Sequence, residues 1–176
     1  MLLTTGDYLI RDFTQDDLGS IARHADNPLI AGVLRDLFPT PYSEADAREY
    51  IGRIKEQDPR TTFAIATKEE AFGCIGYVPG KDVYSRTAEI GYWIGKHYWG
   101  QGIMTGVVKV FSNYLFETYE FNRLFAGIFS SNPASGRVLE KAGFVNEGIL
   151  KARVYKNGQI LDEHMYARVR PGLIDG

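Results

Sequence analysis

The chain has 176 residues, a length that suits one domain with its own hydrophobic core. Hydrophobic residues make up 44% and charged residues 24%, which excludes a chain that is disordered throughout. The 20 basic and 22 acidic residues nearly balance, so the chain lacks the basic footprint of a protein that binds duplex nucleic acid. We therefore expect a single domain over 1–176 with no nucleic-acid partner.

The sequence predicts no metal site, no disulfide bond and no membrane-spanning segment. The single cysteine, Cys74, excludes an intramolecular disulfide, and His24, His97 and His164 are scattered without the spacing of metal ligands. The first residues lack the basic segment and apolar core of a signal peptide, and no run approaches the roughly 18 apolar residues of a membrane span. We expect a cytoplasmic protein that holds no metal.

Polar and proline residues mark the predicted helix ends in the N-terminal half. Thr14, with an acid three positions later, predicts a helix start, and Ser43 predicts another. Pro39 and Pro41 end the short helix that precedes them, since proline cannot occupy a helix interior. The predicted elements are a strand over 8–13, a helix over about 18–25, a short helix over 28–37, a third helix after Ser43, and a β-hairpin of 61–67 and 71–78.

In the C-terminal half, the Asn132-Pro133 pair predicts a helix start, Gly143 predicts its end, and Asn157-Gly158 favours a two-residue hairpin turn. The predicted elements are a strand over 88–95, a long helix over 103–118, a strand over 123–129, a helix over 132–143, and a hairpin of 149–156 and 159–168. This order predicts an α/β (α+β) fold with one mixed sheet of about seven strands, covered by helices, with at least one parallel pair beside the long helix.

A glycine-rich turn, Tyr98-Trp99-Gly100-Gln101-Gly102, stands between a predicted strand and the long helix. Main-chain N–H groups converge at such a helix start and favour an anion, and glycine lets a phosphate approach the backbone. A tight turn without a ligand fits the spacing equally well. The turn lacks the Lys-Ser/Thr pair of a P-loop, the third glycine of a dinucleotide fingerprint and the G-x-S-x-G of a hydrolase elbow.

Three stretches resemble the GNAT superfamily of N-acetyltransferases, and within it the RimJ/RimL type that acetylates N-termini of ribosomal proteins. They are Ala88-Glu89-Ile90-Gly91-Tyr92-Trp93-Ile94, the turn continued through Ile103-Met104-Thr105, and the segment from Asn132 to Phe144. The segment 38–42 and the closing hairpin also fit, so the resemblance covers nearly the whole chain. It implies a GNAT fold: a mostly antiparallel sheet, splayed in the middle, with helices on both faces.

The resemblance also implies acetyl-CoA as cofactor, with its pyrophosphate on the glycine turn and its pantetheine beside the preceding strand. The family motif [RQ]-x-x-G-x-[GA] falls on Trp99 to Met104, so tryptophan stands at its first position and methionine at its last. The implied cofactor-binding residues are Trp93, Ile94, Trp99, Gly100, Gln101, Gly102, Ile103, Met104, Thr105, Asn132 and Ser135.

Glu89, Asn132 and Ser135 are the candidate catalytic residues. Attack on a thioester needs a neutral amine, and Glu89 could remove its proton directly or through water; the alternative is a surface glutamate or an ion-pair partner. Asn132 could equally be a helix cap, and Ser135 an ordinary residue of the first helical turn. Many relatives carry a tyrosine acid where this chain has Leu139, so Ser135, a water or no acid at all serves the departing thiolate.

The resemblance implies direct transfer in a ternary complex to a primary amine, with a protein N-terminal α-amine as the acceptor of this subgroup. The acceptor would enter past a lip formed by Arg35, Phe38 and Tyr42, for which a packed loop is the alternative. A small-molecule amine remains open as acceptor, as does a non-catalytic CoA-binding module. The family also makes a homodimer plausible.

Overall fold

The computed structural model describes residues 2–173. Eight strands form one sheet in the order β1-β2-β3-β4-β5-β6-β8-β7. The strands are β1 (Leu2–Thr5), β2 (Tyr8–Arg11), β3 (Thr62–Ala66), β4 (Ala71–Pro79), β5 (Thr87–Ile94), β6 (Arg123–Phe129), β7 (Val145–Lys156) and β8 (Gln159–Val169). The helices are α1 (Leu18–Ala25), α2 (Pro28–Ala31), α3 (Glu44–Lys55), α4 (Ile103–Thr118) and α5 (Pro133–Lys141).

The chain divides into two compact units. The first comprises Met1–Gly76 and Tyr92–Val107, and the second comprises Tyr77–Gly91 and Val108–Gly176. The boundaries fall inside β4, β5 and α4, so each of these elements contributes residues to both units. The single domain expected from the sequence stays a prediction.

The sheet has one strand more than the sequence predicts. The additional strand is β1, which pairs antiparallel with β2 from Leu2↔Arg11 to Thr5↔Tyr8. Four residues with no clear alternation carry too weak a signal for a strand, and β1 exists because a tight turn folds it back onto β2. The mixed, mostly antiparallel α/β architecture is confirmed, since β5 and β6 pair in parallel and five other neighbouring pairs are antiparallel.

Helix caps explain most of the helix boundaries in the first unit. The Ser43 hydroxyl accepts a hydrogen bond from the Asp46 N–H, and the Ser43 N–H donates to the Asp46 carboxylate at 2.8 Å, so α3 begins with a capping box. α2 is shorter than predicted: it ends at Ala31, and the following N–H groups of Val33 and Leu34 donate to the carbonyls three residues earlier, as in isolated turns. Gly32 follows this end and has poor helix propensity, so the predicted extension to residue 37 is wrong.

The core of the first unit lies on both faces of β3. The consecutive residues Phe63, Ala64, Ile65 and Ala66 are all at most 3% exposed. Neighbouring residues of a strand point to opposite faces, so both sheet faces are covered here. Ala64 and Ala66 pack in one apolar cluster with buried residues of α1, α2 and α3, which places these helices on one face.

In the second unit, the parallel register of β5 and β6 covers Thr87↔Arg123, Ala88↔Leu124 and Glu89↔Phe125. Both strands continue beyond this register, β5 to Ile94 and β6 to Phe129. β6 instead pairs along its whole length with β8. The end of the parallel register at Glu89 agrees with the predicted splay in the middle of the sheet.

The closing hairpin is longer than predicted, because β7 begins at Val145 instead of residue 149. Asn146 and Gly148 weaken the strand pattern there, yet β7 pairs with β8 from Val145↔Ala167 onward. The turn between them is of type I′, since Asn157 and Gly158 have φ values of 50° and 76°. The predicted turn is therefore confirmed.

Candidate active site

The glycine turn, where the sequence predicts an anion site, contains two residues in the left-handed region. Gly100 and Gly102 have φ values of 74° and 77°, which other residues adopt only with strain. A Cβ built at either position would meet no other described protein atom within 4 Å, apart from its chain neighbours. α4 begins directly after the turn, and its first bond runs from the Gly106 N–H to the Gly102 carbonyl at 3.3 Å. A side chain at either glycine would therefore extend into space that the described protein atoms leave unfilled.

Two side chains of the turn fold back on the segment that precedes it. The Trp99 indole N–H donates to the Ile94 carbonyl at 2.9 Å, and the Gln101 amide donates to the His97 carbonyl at 2.9 Å. The Ile94 carbonyl is one of the main-chain groups expected beside the pantetheine, and one of its lone pairs is thus taken by Trp99. These bonds fix the shape of the turn from within the chain.

Ile103 and Met104 point into the protein. Both are 6% exposed, whereas Thr105 is half-buried. The methionine at the last motif position therefore adds core packing, and its side chain does not stand on the open side of the turn. Only the main-chain groups of these residues fit the predicted contact with the pyrophosphate.

Three of the predicted residues form an aromatic cluster in the first unit. The ring centroid of Phe38 lies 5.0 Å from that of Tyr42 and 5.7 Å from that of Trp93. Tyr42 and Trp93 are buried, while Phe38 is half-buried, so the lip segment packs directly on a predicted cofactor residue. Arg35 is exposed and joins the loop through its carbonyl, which accepts from the Phe38 N–H at 3.0 Å.

Cys74 lies in the core of the first unit. It is 6% exposed, and its sulfur lies 3.4 Å from the Tyr50 hydroxyl. Burial raises the pKa of the thiol to about 11, although hydrogen bonds from Tyr50 and Trp93 act in the opposite direction. A thiolate is therefore scarce at neutral pH, which disfavours Cys74 as an acetyl carrier.

Glu89 belongs to the second unit and stands where β5 leaves β6. Its neighbours Ala88 and Ile90 are buried, and Glu89 lies half-buried on the opposite strand face, as the alternation predicts. Its Cα partner on β6 is Phe125, at the last pair of the parallel register. This carboxylate belongs to the same strand as Trp93 and Ile94, whose main chain is predicted to lie beside the thioester.

Asn132 caps α5 in the second unit. Its side-chain oxygen accepts from the Ser135 N–H at 3.3 Å, and Pro133 occupies the first helical turn. Because the cap uses the side-chain oxygen, the NH2 of the Asn132 side chain is the part that can donate to a ligand. Ser135 is half-buried in the first turn, and Leu139 is a fully buried core residue.

One side-chain network beside the glycine turn escaped prediction. Glu70 accepts hydrogen bonds from His24 and Tyr98, and Arg23 pairs with the same carboxylate. These residues come from three segments that are far apart in sequence. No spacing or motif joins them, so only the fold brings them to the turn.

The sequence matches the family model of the acetyltransferase (GNAT) domain over residues 8–145. The chain belongs to the GNAT acetyltransferase family. It is 42% identical to "Probable N-acetyltransferase YjcK" of Bacillus subtilis (strain 168) over 125 residues, which cover 70% of this chain and 68% of YjcK. It is 36% identical to "Uncharacterized N-acetyltransferase YoaA" of the same strain over 103 residues, which are 58% of each chain and thus less than two thirds of YoaA.

A ribosomal-protein-serine acetyltransferase of Escherichia coli (strain K12) is 28% identical to this GNAT protein over 130 residues, 72% of this chain and 72% of the relative. Two solved structures share the fold at lower identity. The ribosomal alpha-N-protein acetyltransferase RimL in complex with coenzyme A has a TM-score of 0.83 at 21% identity, covering 96% of this chain and 98% of RimL. The microcin self-immunity acetyltransferase MccE, in complex with acetyl-CoA and AMP, has a TM-score of 0.80 at 19% identity, covering 93% of this chain and 93% of MccE. The RimJ/RimL-like resemblance is confirmed.

The side chains of the described residues include no group of three or more His, Cys, Asp and Glu arranged to hold a metal ion. Over the same residues, every helix is too short or too polar to cross a bilayer.

Proposed function

We propose that this GNAT protein transfers the acetyl group of acetyl-CoA to a primary amine by direct transfer in a ternary complex, with a protein N-terminal α-amine as acceptor. The observation that carries the proposal is the glycine turn before α4. Gly100 and Gly102 keep its main chain open, in the place where the family motif falls. Positive-φ glycines with open surroundings also occur in the β7–β8 turn at Gly158, so the support comes from their place at the start of a long helix, where unpaired N–H groups favour an anion.

The residues present fit acetyl-CoA. Main-chain N–H groups over 101–105 would hold the pyrophosphate, because unpaired N–H groups and the helix dipole at a helix start favour phosphate. The buried side chains of Ile103 and Met104 keep this surface free of bulk. Acetyl-CoA supplies an activated acyl thioester, and main-chain groups near Trp93 and Ile94 would polarise its carbonyl.

The proposed chemistry divides between two groups of the second unit. Glu89 takes the proton from the acceptor ammonium, directly or through a water, and leaves a neutral amine that can attack. Ser135 or a water returns a proton to the departing thiolate, since the buried Leu139 cannot donate one. The raised pKa of Cys74 supports direct transfer over a route through an acetylated cysteine.

The acceptor is proposed from the relatives. Escherichia coli enzymes named for ribosomal-protein serine and for ribosomal protein uS5 alanine are 28% and 30% identical to this chain over the matched segments. The aromatic lip of Phe38 and Tyr42 would receive the first residues of such a peptide beside Trp93. A cytoplasmic location, where ribosomal proteins are made, is part of the proposal; the expected homodimer stays a prediction.

The test is a turnover assay that follows thiol release from acetyl-CoA with a panel of acceptors. The panel contains short peptides with free Ser or Ala N-termini, the same peptides with blocked N-termini, and small amines such as polyamines and aminoglycosides. We expect turnover only with free peptide N-termini. Turnover only with small amines would refute a protein N-terminus as the acceptor. Binding of CoA without turnover on any acceptor would indicate a CoA-binding module instead of an enzyme.

A further inference from the structure

Glu70 lies at the centre of the network beside the glycine turn. One of its carboxylate oxygens is 3.0 Å from His24 Nε2 and accepts from the Tyr98 hydroxyl at 3.3 Å, while the other pairs with Arg23. Burial favours the neutral acid, but the bond and charge of His24, the charge of Arg23 and the bond from Tyr98 outweigh it and lower the pKa of Glu70. The carboxylate is thus ionised at neutral pH and can only accept, so His24 Nε2 donates.

Tyr98 connects this carboxylate to the turn. It is the residue before Trp99, and its ring stacks on Phe72 with centroids 3.8 Å apart and an interplanar angle of 19°. The edge of His24 meets the same ring at a centroid distance of 5.6 Å. The position of Tyr98 is therefore set by a stacked ring, an edge contact and a hydrogen bond at its far end.

The segment before Tyr98 is held equally closely. The Gly95 N–H donates to the Phe72 carbonyl at 2.7 Å, and the Tyr98 N–H donates to the Gly95 carbonyl at 2.9 Å. A Cβ at Gly95 would lie 2.6 Å from His24 Nδ1, so only glycine admits the imidazole at this distance. The turn that carries Glu70 is also ordered, because the Thr67 hydroxyl accepts from the N–H groups of Glu69 and Glu70.

We propose that Glu70 and Tyr98 are positioning residues for the glycine turn: the carboxylate of Glu70, held by His24 and Arg23, fixes Tyr98 and so sets where the turn begins that leads into the phosphate-binding main chain over 101–105. This inference rests on the proposed use of acetyl-CoA. Neither residue takes part in the acetyl transfer. Their effect is on the affinity for the phosphate end of CoA, because main-chain donors bind an anion well only when their geometry is fixed beforehand.

The sign of the effect separates this inference from simple electrostatics. Glu70 is an anion close to a site for a polyanion, so removal of its charge alone would strengthen CoA binding. Loss of positioning would weaken it. The variant Glu70→Met removes charge and hydrogen-bond acceptors at similar length, whereas Glu70→Gln removes the charge but keeps an acceptor for Tyr98.

The experiment measures the Kd of CoA by calorimetry for the wild type, Glu70→Met, Glu70→Gln and Tyr98→Phe. We expect Kd to rise about three- to tenfold for Glu70→Met and Tyr98→Phe, and less for Glu70→Gln. With an acceptor from the turnover screen, KM for acetyl-CoA should rise by the same factor while kcat stays within about twofold. The matched control is Glu49→Met, which removes an exposed carboxylate of α3 that lies 3.9 Å from the Arg53 guanidinium, and its Kd should equal that of the wild type.

A Kd for Glu70→Met that equals the wild-type value or falls below it would overturn the inference. An equal decrease of the CoA Kd in Glu70→Met and Glu70→Gln would show that Glu70 acts only through its charge. If Glu70→Met does not fold, Tyr98→Phe decides, since it removes one hydroxyl and keeps the stacked ring. A wild type that does not bind CoA would refute the proposed function first, and the inference with it.

Discussion

The starts of α4 and α5 show two different ways to begin a helix. α4 follows two glycines with positive φ, and the main chain there faces open space. α5 begins with Asn132, whose side chain accepts from the Ser135 N–H, followed by proline. The first arrangement suits an external anion, because the exposed N–H groups can be satisfied by phosphate; the second satisfies one of these groups from within the chain. The difference is that a ligand at the α4 start could bond N–H groups that the chain leaves uncapped, whereas the α5 start already has a side-chain cap.

The largest expected effect comes from Gly102→Ala. An alanine at this φ is strained by about 1–2 kcal/mol, and its Cβ stands on the open side of the turn. We expect the Kd of CoA to rise at least about tenfold, measured by calorimetry, because the added carbon stands where the phosphate approaches. Gly158→Ala is the matched control, since Gly158 has φ 76° and the same open surroundings in the β7–β8 turn. It should lower the thermal midpoint similarly and leave Kd unchanged; equal Kd changes in both variants would refute the role of the α4 turn.

Asn132 tests the other side of the comparison. Asn132→Ala should lower the free energy of unfolding by about 1 kcal/mol, as expected for loss of a helix cap, whereas Asn132→Asp keeps a capping oxygen and the stability. If the Asn132 amide also contacts CoA or the acceptor, Asn132→Asp lowers kcat/KM by about tenfold despite its intact cap. Denaturant unfolding and turnover of the two variants separate these roles. Full activity in Asn132→Asp would leave Asn132 a cap alone.

The two helix starts should also differ in their response to acid. The folded-state pKa of Glu70 lies below its ordinary value, so its interactions stabilise the protein above the unfolded-state pKa of about 4.3 and are lost as the pH falls through the folded-state pKa. The cap of α5 is an amide and does not titrate. Unfolding free energies of the wild type and Glu70→Gln, measured from pH 7 to pH 3, should therefore differ at neutral pH and converge at the acid end. A constant difference over this range would contradict a lowered folded-state pKa of Glu70.

The smallest expected effect is that of Cys74→Ala on turnover. If acetyl-CoA on the α4 turn passes its acetyl group directly to the amine, no cysteine nucleophile is needed, and kcat should stay within about threefold of the wild type. Stability should fall by about 1 kcal/mol, because a small buried side chain and its contact with Tyr50 are lost. An acetylated Cys74 detected by mass spectrometry in the wild type would contradict direct transfer.

Sequence patterns predicted elements with strong periodicity and well-defined ends. α4 and β6 have the predicted bounds, and α5 begins at the predicted Asn-Pro pair. β1 was missed and β7 was predicted too short, because both depend on pairing with a neighbouring strand more than on their own alternation.

The candidate site divides in the same way. The glycine turn and the Asn132 cap are each formed by residues close together in sequence, so the residue types there predict them. The contacts of Phe38 with Trp93 and of Glu70 with His24 and Tyr98 join segments that are tens of residues apart. Such contacts follow from tertiary packing and leave no local pattern. Prediction from one sequence therefore located the glycine turn but not the network beside it, and the phosphate-binding role of the turn stays a prediction.

The most direct test of the account is thermal unfolding of the wild-type protein with and without acetyl-CoA, with ATP and NAD as controls. At about 100 times Kd, binding should stabilise the protein by about 2.7 kcal/mol. For a domain of this size, the midpoint should rise by about 5–10 °C with acetyl-CoA and stay unchanged with ATP and NAD. No rise at saturating acetyl-CoA, or the same rise with all three ligands, would contradict the proposal that the α4 turn is an acetyl-CoA site.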